Sequence, residues 1–199
     1  MNKQDTLPKL KDFFDRNIPL PEPALIRLFE AMELVKLPSK HSITQPGEIC
    51  TIEAYILKGI ARTYFINEQG DEVTVHFAKE DWWIGDVASF TLQRPSLLHI
   101  ETLEETYMLT ISYERKEQLY AEYPIFERIF RLMIQRTHAF LMNRLVSVLS
   151  ESADKRYQYF LDRYPDVPQR VPQHYIASYL GISPEFLSKI RSKKAKLRS

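Results

Sequence analysis

Apolar residues change their spacing three times along this chain, and each change predicts a different kind of structure. From about Lys9 to Val35 the spacing is helical, with Leu25, Leu28, Phe29 and Met32 on one face and Pro19, Pro21 and Pro23 breaking the pattern before them. From Leu37 to about Tyr113 it shortens to apolar and β-branched runs. Turn signals separate these runs at Gln45-Pro46-Gly47-Glu48, Lys58-Gly59, Asn67 to Asp71 and Lys79-Glu80-Asp81. Strands are expected at Ala54–Leu57, Ile60–Ile66, Glu72–Phe77, Leu98–Leu103 and Thr106–Ile111, a spacing that suits a sandwich or jelly roll.

After Tyr123-Pro124 a long helix is predicted, running to Ser150, and it carries two apolar stripes. Ile134, His138, Leu141, Leu145 and Val148 alternate steps of four and three residues, as a coiled-coil seam does. Phe126, Phe130, Met133 and Phe140 form a second stripe to one side. One stripe can be buried by the helix's own domain, but two stripes require two partners. The β-rich domain and the same helix of a second subunit are the expected pair. His138 reads as a packed polar residue of the seam.

The third change comes at Val171 to Lys194, where two short helical patterns meet across Leu180-Gly181-Ile182. Ile176, Leu180, Ile182, Leu187 and Ile190 are the apolar positions, and Ala177 supplies the small side chain that crossing helices need. Gly181 suits a left-handed end to the first helix. Ser183, Pro184 and Glu185 then offer an N-cap, a first-turn proline and an acid at the positive end of the second. This is the spacing of a helix-turn-helix. A solvated surface helix would also be polar, but here Glu185, Ser188, Lys189, Ser192 and Lys193 share one face. Short hydroxyls and donors near the helix start suit base edges, and the later cations suit phosphate. The expected DNA-contacting set is Ser183, Pro184, Glu185, Ser188, Lys189, Arg191, Ser192, Lys193 and Lys194.

Charge strengthens that reading only when it is divided along the chain. The net charge is +1, yet from Ser150 onward ten Lys and Arg face five Asp and Glu, a local balance of +5. Residues 1–149 therefore carry −4, and the cationic end is where nucleic acid would bind. Lys196 and Arg198 read as a basic tail. No apolar run approaches the roughly 18 residues of a membrane helix, and the N-terminus lacks the apolar segment of a secretion signal, so a cytoplasmic protein without a membrane partner is expected. Cys50 is the single cysteine, which excludes an intrachain disulfide and suggests a buried thiol.

The order of parts, anchored by Pro46-Gly47-Glu48, Tyr55 to Gly59, Trp83-Ile84-Gly85-Asp86 and Val171 to Ile190, resembles the Crp/Fnr family of bacterial transcription regulators. The resemblance implies an α+β chain: a jelly-roll domain with N-terminal helices at 1–122, a dimerisation helix at 123–150, and a helix-turn-helix domain at 151–199. With Ser199 as the last residue, the wing that many members carry is not expected. The resemblance further implies a homodimer on palindromic double-stranded DNA, RNA polymerase as a candidate partner, and a small-molecule effector in the β domain.

At the effector site the chain departs from the members that bind cyclic AMP. The resemblance implies a pocket around Trp83, Gly85, Asp86, Arg94, Ser96, His138, Leu141 and Met142. However, Gly85-Asp86 stands where those members have Gly-Glu, and Pro95 falls where their phosphate-pairing arginine is expected. Arg94 is one residue away, and adjacent positions on an extended chain point in opposite directions. Leu141 and Met142 occupy the positions of adenine-contacting hydroxyls and cannot make those bonds. No cofactor, and in particular no tight cyclic AMP, is expected. Trp82 and Trp83 read as packing residues. Two rival functions remain: an adaptor acting on a protein partner, and a cupin-type metalloenzyme. The second would need paired imidazoles, which His41, His76 and His99 do not supply.

Overall fold

The computed structural model describes residues 1–196, with side chains through Lys194; the side chain of Lys196 and the whole of Arg198 lie outside the described residues. The chain runs α1 (Leu7–Asn17), α2 (Glu22–Ala31), β1 (Glu33–Leu37), β2 (Ser42–Thr44), β3 (Ile52–Lys58), β4 (Ala61–Ile66), β5 (Glu72–Ala78) and β6 (Trp83–Ile84). It continues through α3 (Val87–Leu92), β7 (His99–Thr102), β8 (Thr106–Ser112), α4 (Tyr113–Glu122), α5 (Ile125–Ser150), α6 (Ala153–Arg163), α7 (Val167–Arg170), α8 (Gln173–Leu180) and α9 (Pro184–Lys196). Two compact units result. One is Met1–Thr63 with Phe77–Met133, and the other is Tyr64–His76 with the chain from Ile134.

The strands form two four-stranded sheets, ordered β1-β8-β3-β6 and β2-β7-β4-β5. Between their facing sides lie Ala54, Ile56, Ala61, Ala78, Ile84, Ile100 and Met108, all buried. The first sheet is covered on its other side as well. Tyr55, Leu57, Leu109 and Ile111 point outward into a second core built by α1, α2, α4 and the start of α5. With both faces buried, β3 reads as a continuous apolar run and loses the alternation of a half-exposed strand. The first helical segment ends earlier than its periodicity suggests. Helix α2 stops at Ala31, and Glu33–Leu37 is a strand paired with β8, Leu34 opposite Leu109. A short apolar run fits either period, and here the partner across the sheet decides.

A buried ion pair joins these layers. Lys116 of α4 reaches Glu53 of β3, with both side chains almost fully enclosed. The ammonium also lies over the rings of Phe130 at 4.1 Å, Phe90 at 5.3 Å and Tyr120 at 5.9 Å. It thus connects β3, α3, α4 and α5 through one charge. A second enclosed pair, Arg62 with Glu101 at 2.6 Å, links β4 to β7.

Removing one member of such a pair strands the other as a buried charge, which costs about 3–5 kcal/mol, whereas replacing both with neutral groups is far less damaging. Lys116→Met should therefore lower stability by about that amount, and the Glu53→Gln/Lys116→Met double variant should recover most of it. Urea unfolding followed by circular dichroism measures both; a double variant no more stable than Lys116→Met would mean that Glu53 is not stranded.

Candidate functional site

In the C-terminal unit the end of α8 is closed by backbone hydrogen bonds. Gly181 takes φ +65°, and its N–H bonds to the Ser178 carbonyl at 3.1 Å while the Ile182 N–H reaches the Ala177 carbonyl at 3.1 Å. This crossed pair of bonds is the Schellman closure, which stops α8 and redirects the chain. Ser183 then caps α9, its Oγ accepting from the Phe186 N–H at 3.2 Å. Ile176, Ala177, Leu180, Leu187 and Ile190 are buried as the spacing requires. Behind them the rings of Phe160, Tyr164 and Tyr179 pack with centroids 5.1 to 5.8 Å apart.

Burying Leu187 and Ile190 sends the opposite face of α9 outward. Ser183, Pro184, Glu185, Ser188, Lys189, Ser192 and Lys193 are all exposed. Glu185 is held below the usual carboxylate range, mainly by its own backbone N–H, then by the Ser183 hydroxyl, with Lys189 adding less. Arg191 is half-buried, and Lys194 turns inward, hydrogen-bonding Gln158 and lying 5.3 Å over the Tyr157 ring. Phe186 has no role in the sequence pattern, yet it is 45% exposed on the same helix. Its position between the polar residues is visible only once Leu187 and Ile190 are placed.

The second stripe of α5 is buried in part by the N-terminal unit, where Phe126 and Phe130 are enclosed and Met133 packs against the same core. The first stripe is uncovered in the single chain. Ile134, Leu141, Leu145 and Val148 are 37–49% exposed, and His138 and Met142 are exposed beside them. Leu141 and Met142 offer no hydrogen-bonding side chain.

The cassette residues of the N-terminal unit are turned toward one another. Asp86 caps α3, its Oδ1 accepting from the Ala88 and Ser89 N–H groups at 3.1 and 3.2 Å, and its Oδ2 accepting from the Ser96 hydroxyl at 2.7 Å. Ser89 in turn donates to the Arg94 carbonyl at 2.6 Å and accepts from the Cys50 N–H at 2.9 Å. Cys50 is buried, and the Ile49–Pro95 bridge closes the loop. The Arg94 side chain is exposed. A Cβ on Gly85 would come within 3.1 Å of the Glu53 side chain. Trp83 packs between Tyr55 and Phe130, with ring centroids at 5.8 and 5.6 Å. Among the described residues, no group of three or more His, Cys, Asp or Glu could hold a metal ion, and no helix is long and apolar enough to cross a membrane.

Two residues without a signal in the sequence tie the β4–β5 hairpin to the helix-turn-helix within the C-terminal unit. The Ser178 hydroxyl accepts from the Thr74 N–H at 2.8 Å and donates to the Glu72 carbonyl. Arg144 of α5 donates to the carbonyls of Thr74 at 3.2 Å and Tyr179 at 2.8 Å. Strand β5 is an edge strand, and these bonds engage its backbone.

Residues 34–123 match the family of cyclic nucleotide-binding domains. No curated protein matches the chain at a significant level. Among solved structures, FixK2 from Bradyrhizobium japonicum aligns with a TM-score of 0.72 at 15% identity, over 83% of this chain and 85% of its own. CLP from Xanthomonas campestris, a c-di-GMP-responsive global regulator, aligns at 0.70 and 16%, over 88% and 92%. A Crp/Fnr-family transcriptional regulator from Eubacterium rectale aligns at 0.69 and 16%, over 93% and 88%. The molecule is thus a cyclic-nucleotide-binding-type β roll continued by a long helix into a helical C-terminal unit. That architecture is the fold of these solved structures.

His76, on β5, stacks edge-on to Phe140 at 6.3 Å, and burial, helped by the charges of Arg163 and Arg144, pushes its pKa down to about 4. The folded chain thus holds His76 neutral where the unfolded chain, with a pKa near 6.5, takes up a proton. Stability is fully present above about pH 6.5 and falls as the pH drops toward 4, by up to about 1.4 kcal/mol per pH unit. His76→Gln should flatten the difference across that window in denaturation curves measured at several pH values; parallel profiles for variant and wild type would mean that His76 is solvated.

Proposed function

We propose that the chain is a homodimeric, sequence-specific DNA-binding transcriptional regulator. The observation that carries this reading is the exposed polar face of α9, started by Ser183 and aimed by the Schellman turn at Gly181. A helix presented in this way offers its N-terminal residues to base edges in the major groove. Ser183, Glu185, Ser188 and Lys189, with Pro184 among them at the helix start, would face bases, while Arg191, Ser192 and Lys193 would lie along the backbone. Lys194 is engaged with α6 and is the weaker candidate for phosphate.

Dimerisation is supported by the apolar seam of α5, which has no cover in the single chain. Two α9 helices related by a two-fold axis would engage half-sites roughly 34 Å apart. The cassette is read as one that does not take cyclic AMP tightly. Asp86 already receives three hydrogen bonds from its own loop, and the positions that would pair phosphate and adenine are unfilled. A submicromolar dissociation constant for cyclic AMP in titration calorimetry would overturn that reading. Transcription control also implies contact with RNA polymerase; the adaptor reading would be favoured by duplex binding that is absent even at low salt.

Three variants separate these roles. Leu141→Lys should place a charge in the seam and give a monomer in sedimentation at concentrations where the wild type is dimeric. Lys189→Ala should relax preference at one base pair per half-site, by about 1–3 kcal/mol. Lys193→Ala should weaken all sequences alike and lower the salt slope by about 0.9 for each phosphate that the side chain no longer neutralises. Fluorescence anisotropy on matched and mismatched duplexes at several salt concentrations reads both; equal losses from the two lysine variants on every sequence would reduce Lys189 to a phosphate contact.

A further inference from the structure

The C-terminal unit contains a cavity of about 400 Å³ between the second half of α5, α6 and the end of α8. That volume is within the range of small-molecule sites. Phe140, Phe160 and Leu180 supply apolar wall, and the charged groups on it are Arg144, Arg156, Arg163 and Glu151. The carboxylate of Glu151 is already engaged, accepting from the Ser147 hydroxyl at 2.8 Å and the Tyr159 hydroxyl at 3.3 Å. Arg156 donates to the backbone carbonyls of Glu151 at 2.7 Å and Leu180 at 3.1 Å.

Arg144, like Arg156, donates to two neutral carbonyls, but its guanidinium also lies 4.2 Å over the Tyr179 ring. Its Nε–H is buried with no acceptor, and no carboxylate among the described residues pairs with it. A partly buried cation beside an apolar cavity, with Nη2 making both of its hydrogen bonds and Nη1 making neither, favours an anion carried on an apolar body. Three arginines against the single carboxylate of Glu151 leave the wall net positive, which favours an anionic occupant.

We propose that this cavity is a binding site for a small amphipathic acid, a single carboxylate on an apolar chain or ring, with Arg144 receiving the carboxylate. The site remains available in a dimer formed through the α5 seam. Phe140, Arg144, Ser147 and Glu151 follow one another at four, three and four residues, and this stripe shares none of its members with the seam; only Val148 belongs to both seam and cavity wall. Leu180 closes the cavity one residue before Gly181, so an occupant touches the turn that aims α9. That regulatory consequence rests on α9 being the DNA-contacting helix, whereas the site itself does not.

Octanoate and octan-1-ol, alike in their apolar chain and different in charge, provide the test by titration calorimetry on the full chain. Octanoate should bind saturably, one per chain, and at least about tenfold more tightly than the alcohol, the discrimination of one charge-assisted bidentate contact. Arg144→Gln should remove that preference and leave alcohol binding unchanged, and Ser147→Trp, which fills the cavity, should abolish both. Because Arg144 also holds the hairpin, the wild-type comparison and Ser147→Trp decide the matter if Arg144→Gln does not fold. Equal affinity for acid and alcohol, undiminished binding to folded Ser147→Trp, or no saturable binding at millimolar octanoate would overturn the site. Octanoate that binds as expected but leaves duplex affinity unchanged would overturn only the coupling to α9. A chain that binds octanoate and no duplex would refute the DNA reading while supporting the cavity.

Discussion

The packing of helices on the first sheet of the N-terminal unit depends on the enclosed pair of Lys116 and Glu53. Four elements meet at the Lys116 ammonium, and each contributes something that a neutral side chain would not need: the Glu53 carboxylate, and the faces of Phe90, Tyr120 and Phe130. Aromatic faces carry negative potential and recover part of the hydration that the ammonium gives up. Burial raises the Tyr120 phenol above its ordinary range, and the nearby Glu53 charge acts in the same direction. The arrangement imposes a direction on packing that apolar contacts alone do not. Helix α4 can slide along β3 only by separating the ions, so the pair fixes where α5 begins and how α3 sits beside it.

The C-terminal unit is organised by backbone closure instead. Gly181 and Ser183 complete the ends of α8 and α9, while Ser178 and Arg144 engage the backbone of β5. The two solutions answer different requirements. A β roll with covered faces must place its few buried charges correctly, whereas a short helical unit must satisfy many chain ends with little core. The cassette combines both needs: Asp86 is at once a helix cap and the receiver of the Ser96 hydroxyl.

Much of this is legible in the residues. The five strands expected from turn signals lie within a residue or two of β3, β4, β5, β7 and β8, and the two stripes of α5 separate into a partly buried and an exposed one. The segments β1, β2, β6 and α3 are not, because elements of two to six residues hold too little pattern to outweigh their neighbours. Asp86 reads from its motif as a ligand contact, although its position three residues before Ser89 already fits a helix cap. Ser178 and Arg144 give no local signal at all. Their partners on β5 lie 70 or more residues away, and only the fold brings that strand to them.

The placement of the indoles has an optical consequence. Both tryptophans sit on adjacent positions of the N-terminal unit, and the described part of the C-terminal unit contains tyrosine and phenylalanine but no indole. Trp83 is held between Tyr55 and Phe130, with its N–H buried and unpaired. Indole emission is therefore a native label for the N-terminal unit. Tyrosines lie in both units and indoles in only one, so tryptophan emission follows the N-terminal half by itself without an attached dye.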